Sequence, residues 1–285
     1  MVWSLPNYHG LFKPRSSLLL TYTGLSAYMY SAEKTDAFSV LLFILLGILA
    51  TMSANTLNNY FDRDIDASMS RTRNRPLPSG LIPSTYAPLL GIPMIVISIL
   101  SFTLLFNPLS ALLVLFGCVH YVGFYTLYLK RRTSLNTVIG GLSGVIPPLA
   151  GWTAATGGLG IGAILLGAII FFWTPSHFWC LAIRFRDDYV KTDIPMLPSQ
   201  TGLAESIRWI IIFNLLTAAS ITVSTLFFDS LIYRVSALAA LALIISSSLL
   251  LYRKQDNASA WRSYKMSSPI LIIIFTGVLL SQLIL

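Results

Sequence analysis

The chain has 285 residues, of which 55% are hydrophobic and only 11% charged, with a net charge of +8. A soluble domain carries about 25% charged residues, so this chain cannot cover a globule with polar side chains and must turn its outer surface to lipid. Its positive charge is spread over several loops rather than gathered in one stripe, which argues against nucleic-acid binding.

Nine apolar runs can be marked, at about 16–32, 38–57, 86–106, 109–128, 136–156, 160–183, 207–228, 231–251 and 267–285. Each approaches the roughly 20 residues that cross a bilayer as a helix. The expected fold is an all-α, polytopic membrane protein: one domain, 1–285, with nine transmembrane helices in a bundle around a central cavity. The polar and aromatic first 14 residues, with Lys13 and Arg15 before the first run, read as a cytoplasmic flank to a retained helix and not as a cleaved leader. With the N-terminus in the cytoplasm, every Lys and Arg except Lys34 and Arg234 falls on the inner side, as the positive-inside rule requires. Cys118 and Cys180 lie inside apolar runs and read as packed small hydrophobes. The glycines at 157, 158 and 160 read as a turn between two helices.

The second run ends in Asn55-Thr-Leu-Asn58-Asn-Tyr-Phe-Asp62-Arg-Asp-Ile-Asp66, followed by Arg71-Thr-Arg-Asn-Arg75-Pro-Leu. Asn58, Asp62 and Asp66 recur every four residues, so they share one helix face. Carboxylates this close repel unless a cation lies between them. Magnesium suits the spacing, because it takes one or two carboxylates and completes its shell with water and phosphate oxygens. Arg71 and Arg75 carry guanidinium forks that match phosphate. Arg63, Asp64 and Arg73 read as surface ion pairs. Asn58 and Asp62 do not, because they continue an apolar helix where polar groups are costly.

After the fourth run, Lys130 and Arg131 serve either as a positive anchor or as contacts to a phosphate or propionate. Gly140, Gly141 and Gly144 give the next helix a small packing face. The sixth run carries Trp173-Thr-Pro175-Ser-His177-Phe-Trp179 and ends at Arg184-Phe-Arg186-Asp187-Asp188-Tyr189. Asp187 and Asp188 form a second acidic pair, 125 residues after Asp62, and Lys254 repeats Lys130 at an offset of 124. Two pseudo-symmetric halves would set both acidic motifs across one cavity, where two magnesium ions could clamp a diphosphate. His177 reads as a helix–helix hydrogen bonder or as an axial ligand to a heme substrate. His120 is the weaker rival for that ligand, and His9 fits neither role.

At these stretches the chain resembles the UbiA-type intramembrane prenyltransferases, in the branch that acts on heme. The likeness rests on N-x-x-x-D-x-x-x-D at Asn58 to Asp66, R-T-x-x-R-P-L at Arg71 to Leu77, Y-T-x-x-L-K-R-x-T from Tyr125, G-G-x-x-G-x-x-P-P from Gly140, W-T-P-x-H-F-W from Trp173 and D-Y-x-x-x-x-x-P-M-L-P from Asp188. It covers residues 10–200 well. Lys191-Thr-Asp193 and Ser176 depart from the family's pattern. The resemblance implies farnesyl diphosphate and heme B as substrates, with heme O and diphosphate as products in heme biosynthesis for terminal oxidases. It also implies Mg2+ on Asp62, Asp66, Asp187 and Asp188, and substrate contacts from Asn58, Arg71, Arg75, Lys130, Arg131 and His177. The expected setting is the cell membrane with the site facing the cytoplasm, and the expected partners are heme-pathway or oxidase assembly proteins. A prenyltransferase for an aromatic quinone precursor and a membrane transporter are the rivals. In a transporter the acidic groups would more naturally lie mid-membrane along a path.

Overall fold

A computed structural model describes residues 9–283; most of the aromatic flank at the start of the chain and the last two residues lie outside them. Among the described residues nine long helices follow one another: α1 (Pro14–Ser31), α2 (Ala37–Phe61), α3 (Tyr86–Leu105), α4 (Pro108–Leu129), α5 (Asn136–Thr156), α6 (Ile161–Arg184), α7 (Leu203–Ser224), α8 (Leu231–Lys254) and α9 (Asn257–Ser267, continued by Ile270–Leu283). Their starts obey ordinary capping chemistry. Asp36 accepts from the amides of Phe38 and Ser39, both at 3.0 Å, to open α2. Asn107 caps α4 ahead of Pro108, and Asp256 forms a capping box with Ser259 to open α9. Each such cap supplies a partner to amides that the helix itself leaves bare.

Each helix packs on the next, and α9 returns to α1, so the bundle closes as a ring; α1 also runs along α5, and α6 along the first half of α9. Eight of the nine are long and apolar enough to cross a membrane, and the exception is α1. Its Ser17, Thr21, Thr23 and Ser26 are buried. Thr23 and Ser26 donate to the carbonyls of Leu20 and Tyr22 within the helix, at 2.8 and 2.9 Å. A helix enclosed by α2, α5 and α9 does not need an apolar outer face, which is why hydropathy alone marks it weakly. The outer surface of the bundle is aliphatic, with Leu104, Leu226 and Leu231 more than three-quarters exposed. The protein is a multi-pass membrane protein.

The structure departs from the expected runs most at the last helix and in the winding of α4, while α7 begins and ends four residues earlier than expected. The last helix starts ten residues before 267, because the Asp256 capping box nucleates a polar turn that carries Arg262 and Lys265. The second half of α4, Val119–Leu129, is wound as a π-helix. The glycines at 157, 158 and 160 do form a turn, with Gly157 at φ +74°. Both cysteines are free and buried.

The α1–α5 contact depends on two glycines. A Cβ on Gly151 would lie 2.0 Å from the Gly24 carbonyl oxygen, and one on Gly24 would lie 2.9 Å from the Pro147 carbonyl. The helices therefore touch backbone to backbone, the close approach that small residues permit in membranes. Gly151→Ala is expected to destabilise the protein by about 3 kcal/mol or more, at or above the upper end for overpacking. Gly158→Ala, with nothing within 4 Å of the new methyl, serves as the neutral control. Thermal midpoints in detergent check both; equal midpoints would mean that α1 and α5 are not in backbone contact.

Candidate active site

The polar end of α2 is the foundation of the site. Asp62 ends the helix and a short helix, Arg63–Ser68, starts directly after it. The i to i−4 backbone bonds persist across the joint, from the Asp62 amide to the Asn58 carbonyl at 2.9 Å and from the Asp66 amide to the Asp62 carbonyl at 2.8 Å. The expected shared face of Asn58, Asp62 and Asp66 is thereby kept. All three are buried, at 3%, 2% and 3% exposure, so the two carboxylates need positive partners close by.

Those partners come from three separate segments. Lys130, just past the π-helix, approaches Asp62 at 2.7 Å. Arg75, from the turn after the short helix, approaches Asp66 at 2.6 Å and also reaches Asn59 at 3.3 Å. Lys13, at the N-cap of α1, donates to the side-chain oxygen of Asn58. The Asn58 amide in turn donates to Asp62 at 2.9 Å and to the Thr126 hydroxyl at 2.8 Å. Burial opposes the charged form of Lys130, but the Asp62 carboxylate, together with Tyr125 and Asp66, outweighs it and holds the ammonium above its usual pKa. For Lys13 burial wins: aided by Arg75 and opposed by Asp62 and Asp66, it brings the ammonium down to about 7. Lys13 also holds a left-handed backbone, φ 45°, a strained conformation for a non-glycine residue of the kind found at functional sites.

One oxygen of this cluster, Asp62 Oδ1, is buried with no hydrogen-bond partner. A buried carboxylate oxygen left bare is costly, and a divalent cation bound there would satisfy it. No three acidic, histidine or cysteine side chains converge tightly enough among the described residues to hold a metal by themselves. The bare Asp62 Oδ1, with Asp66 on the same helix face, fits Mg2+, which takes one or two carboxylates and fills its remaining positions from water and phosphate.

The second acidic motif meets the first through the 69–75 turn. Asp188, buried at 8% exposure, accepts from the Ser70 amide at 3.0 Å and the Ser70 hydroxyl at 2.6 Å. The Arg71 guanidinium lies over the Phe185 ring, 5.9 Å from its centre. Asp187 is not brought to this cluster. It is exposed and lines a different cavity with Arg184 and Arg186, because neighbouring residues on a helical turn point about 100° apart. Arg131 also lies apart, in a bidentate pair with Asp64 at 2.9 and 2.8 Å. Both members of that pair are more than 40% exposed, so Arg131 is a surface ion-pair residue in this arrangement.

His177 is buried in α6. Its Nδ1 pairs with the Ser267 hydroxyl of α9 at 2.7 Å, and its ring is stacked between Trp173 and Tyr264, with centroids 4.2 and 4.5 Å away. This is the helix–helix clamp of the two readings; Nε2 has no protein partner among the described residues. His120 has neither ring nitrogen bonded. Four contributors were not singled out by sequence as site residues: Lys13, Asn59, Ser70 and Thr126. The Lys13-Pro14 step and the Asn58-Asn59 doublet were visible signals. Ser70 and Thr126 carried none, because nothing local distinguishes them from other hydroxyls.

The profile of the UbiA prenyltransferase family matches residues 17–269. A protoheme IX farnesyltransferase of Nostoc sp. is 39% identical over 283 residues, covering 98% of this chain and 89% of its own length. Among solved structures, one from a study of digeranylgeranylglyceryl phosphate synthase superposes with a TM-score of 0.79 at 17% identity, covering 98% of each chain. A UbiA homolog from Archaeoglobus fulgidus bound to GPP and Mg2+ superposes with a TM-score of 0.73 at 15% identity, covering 95% of this chain and 99% of that one. The closed helix bundle, the acidic helix end surrounded by basic side chains and these likenesses agree: the chain belongs to the UbiA prenyltransferase family and is a membrane prenyltransferase.

Proposed function

We propose that the protein transfers the farnesyl group of farnesyl diphosphate to a vinyl group of heme B, giving heme O and diphosphate, with Mg2+ and with the site on the cytoplasmic face of the cell membrane. The observation that carries the prenyl-transfer half is the buried Asp62–Asp66 pair, with one bare carboxylate oxygen and the basic groups Lys13, Lys130 and Arg75 around it. The acceptor and the chain length of the donor rest on the 39% likeness to a protoheme IX farnesyltransferase.

Asp62 and Asp66 would hold one Mg2+, and Asp188, tied to the first motif through Ser70, would serve a second. Magnesium, when bound, would draw off the negative charge that grows on the departing diphosphate. Arg75, Lys130 and Lys13 would add hydrogen bonds to the same oxygens, and such charge stabilisation is commonly the largest catalytic contribution. The carbon–oxygen bond to the farnesyl group breaks with its electron pair left on diphosphate. The vinyl π electrons then attack the allylic cation. Water adds to the new cation beside the porphyrin and loses a proton, leaving a hydroxyl. Until that stage the surrounding apolar helices keep water from the cation. The product is a heme for terminal oxidases, so heme-pathway or oxidase assembly proteins are the natural partners.

Three outcomes are expected. Asp62→Asn should lower turnover by at least about a hundredfold, the scale of losing one charge-stabilising group, while heme uptake persists. Mass spectrometry after incubation with heme B, farnesyl diphosphate and Mg2+, with an EDTA control, reads this out. Near-normal turnover in the variant would remove the metal assignment, and prenylation only of a hydroxybenzoate or naphthoate would replace the heme acceptor. Arg75→Gln should strand the Asp66 carboxylate and destabilise the metal-free protein by about 3 kcal/mol, with Mg2+ recovering part of the loss. Identical midpoint shifts with and without Mg2+ would separate Asp66 from the metal. His177→Ala should change the heme absorption spectrum if Nε2 meets the iron, and an unaltered spectrum leaves His177 as the α6–α9 clamp alone.

A further inference from the structure

A cavity of about 230 Å³ opens on the same membrane face as the acidic motifs, lined by Arg184, Arg186, Asp187, Leu203, Ser206 and Asn257 among others. It shares no lining residue with the Asp62–Asp66 cluster. At this volume it is below the roughly 300–1,000 Å³ of drug-sized ligand sites, with room for a headgroup and not for a porphyrin. Neither arginine is in an ion pair among the described residues. Arg186 gives only its Nε, to the Pro198 carbonyl at 2.8 Å, so the outer fork of its guanidinium is free. Arg184 makes no side-chain hydrogen bond among the described residues.

Two guanidiniums stand against the one carboxylate of Asp187, so the cavity is positive on balance. The first turn of α7 reaches its rim through Leu203, and its N-cap, Gly202, offers no side-chain acceptor to the bare amides there. Guanidinium forks together with unpaired helix-end amides suit phosphate oxygens. Farther along α7, on the side turned away from Leu203 and Ser206, Trp209, Ile212 and Leu215 are exposed to lipid. Trp209 lies about 9 Å along the axis from Leu203 at 1.5 Å per residue, the kind of depth at which tryptophans mark the interface. A headgroup-sized basic cavity at the end of a bundle whose outer helix faces are apolar suits the phosphate of a lipid held at the membrane surface.

We propose that this cavity binds the phosphate of an anionic phospholipid through Arg184 and Arg186, at a site separate from the catalytic cluster. Basic pockets at transmembrane helix ends are a recognised means of holding such headgroups. Asp187 acts against binding and sets its strength.

The test uses the full-length protein in detergent and native mass spectrometry to count bound dioleoyl phosphatidylglycerol, with dioleoyl phosphatidylcholine as the neutral comparison. The wild type is expected to retain phosphatidylglycerol in preference. The double variant Arg184→Gln/Arg186→Gln is expected to lose about tenfold in apparent affinity, the scale of one charged hydrogen bond. Asp187→Asn is expected to bind more tightly than wild type, a direction that a folding defect does not produce. Millimolar inorganic phosphate is added in a parallel arm. Unchanged retention in the double variant, weaker binding in Asp187→Asn, or displacement of the lipid by phosphate alone would each overturn the proposal, the last by making free phosphate the ligand.

Discussion

A carboxylate buried at the end of an apolar helix must be matched by positive charge, and the arrangement around Asp62 and Asp66 follows from that requirement. Both acids are almost wholly buried, so Lys130 arrives from the end of α4, Arg75 from the turn after α2, and Lys13, through Asn58, from the N-cap of α1. Segments far apart in sequence are fixed to one point. Breaking a buried pair by removing one partner is costly, so the cluster organises this end of the ring as well as offering a site for chemistry. Within this cluster the Asp62 Oδ1 is left without a partner among the described residues.

The ring of helices is what brings these partners together. Backbone contact at Gly24 and Gly151 draws α1 against α5, which leaves α1 enclosed and its N-cap lysine directed at the end of α2. Without a hydrophobic drive between helices in lipid, such close packing and the hydroxyl bonds between helices take over the task of cohesion. Examples are Tyr22 with Thr276 at 2.6 Å, between α1 and α9, and His177 with Ser267 at 2.7 Å, between α6 and α9. The Asp188–Ser70 bonds then join the two acidic motifs at the end of the bundle.

Much of this was legible in sequence where the signal is local. The apolar runs located the helices, because lipid demands length and composition. The four-residue spacing of Asn58, Asp62 and Asp66 located the face, and the family resemblance located both acidic motifs. What sequence could not distinguish was direction. Asp187 and Asp188 are neighbours of identical chemistry, and only the turn of the short helix Arg186–Lys191 sends one inward and the other to a separate cavity. Lys130 and Arg131 divide in the same manner, one to Asp62 and one to Asp64. Lys13 read as a topological anchor, because its role depends on a contact 45 residues away. The weak hydropathy of α1 and the early start of α9 share one cause: buried polar side chains and caps are satisfied by partners that a sliding window does not see.

The π-helical half of α4 has a consequence for how the chain is read. An α-helix advances about 100° per residue; the wider winding of Val119–Leu129 turns less at each step, so the azimuth of every residue after Cys118 drifts from that of an ordinary helix. Tyr121 and Tyr125 come to lie parallel, 5.9 Å apart, and Lys130 emerges facing Asp62. Wound conventionally, the same letters would aim that ammonium at another sector of the bundle. The gauge of the helix, and not only the identity of its residues, is therefore part of what this segment encodes, and a single-residue deletion there would act as a rotation of everything downstream.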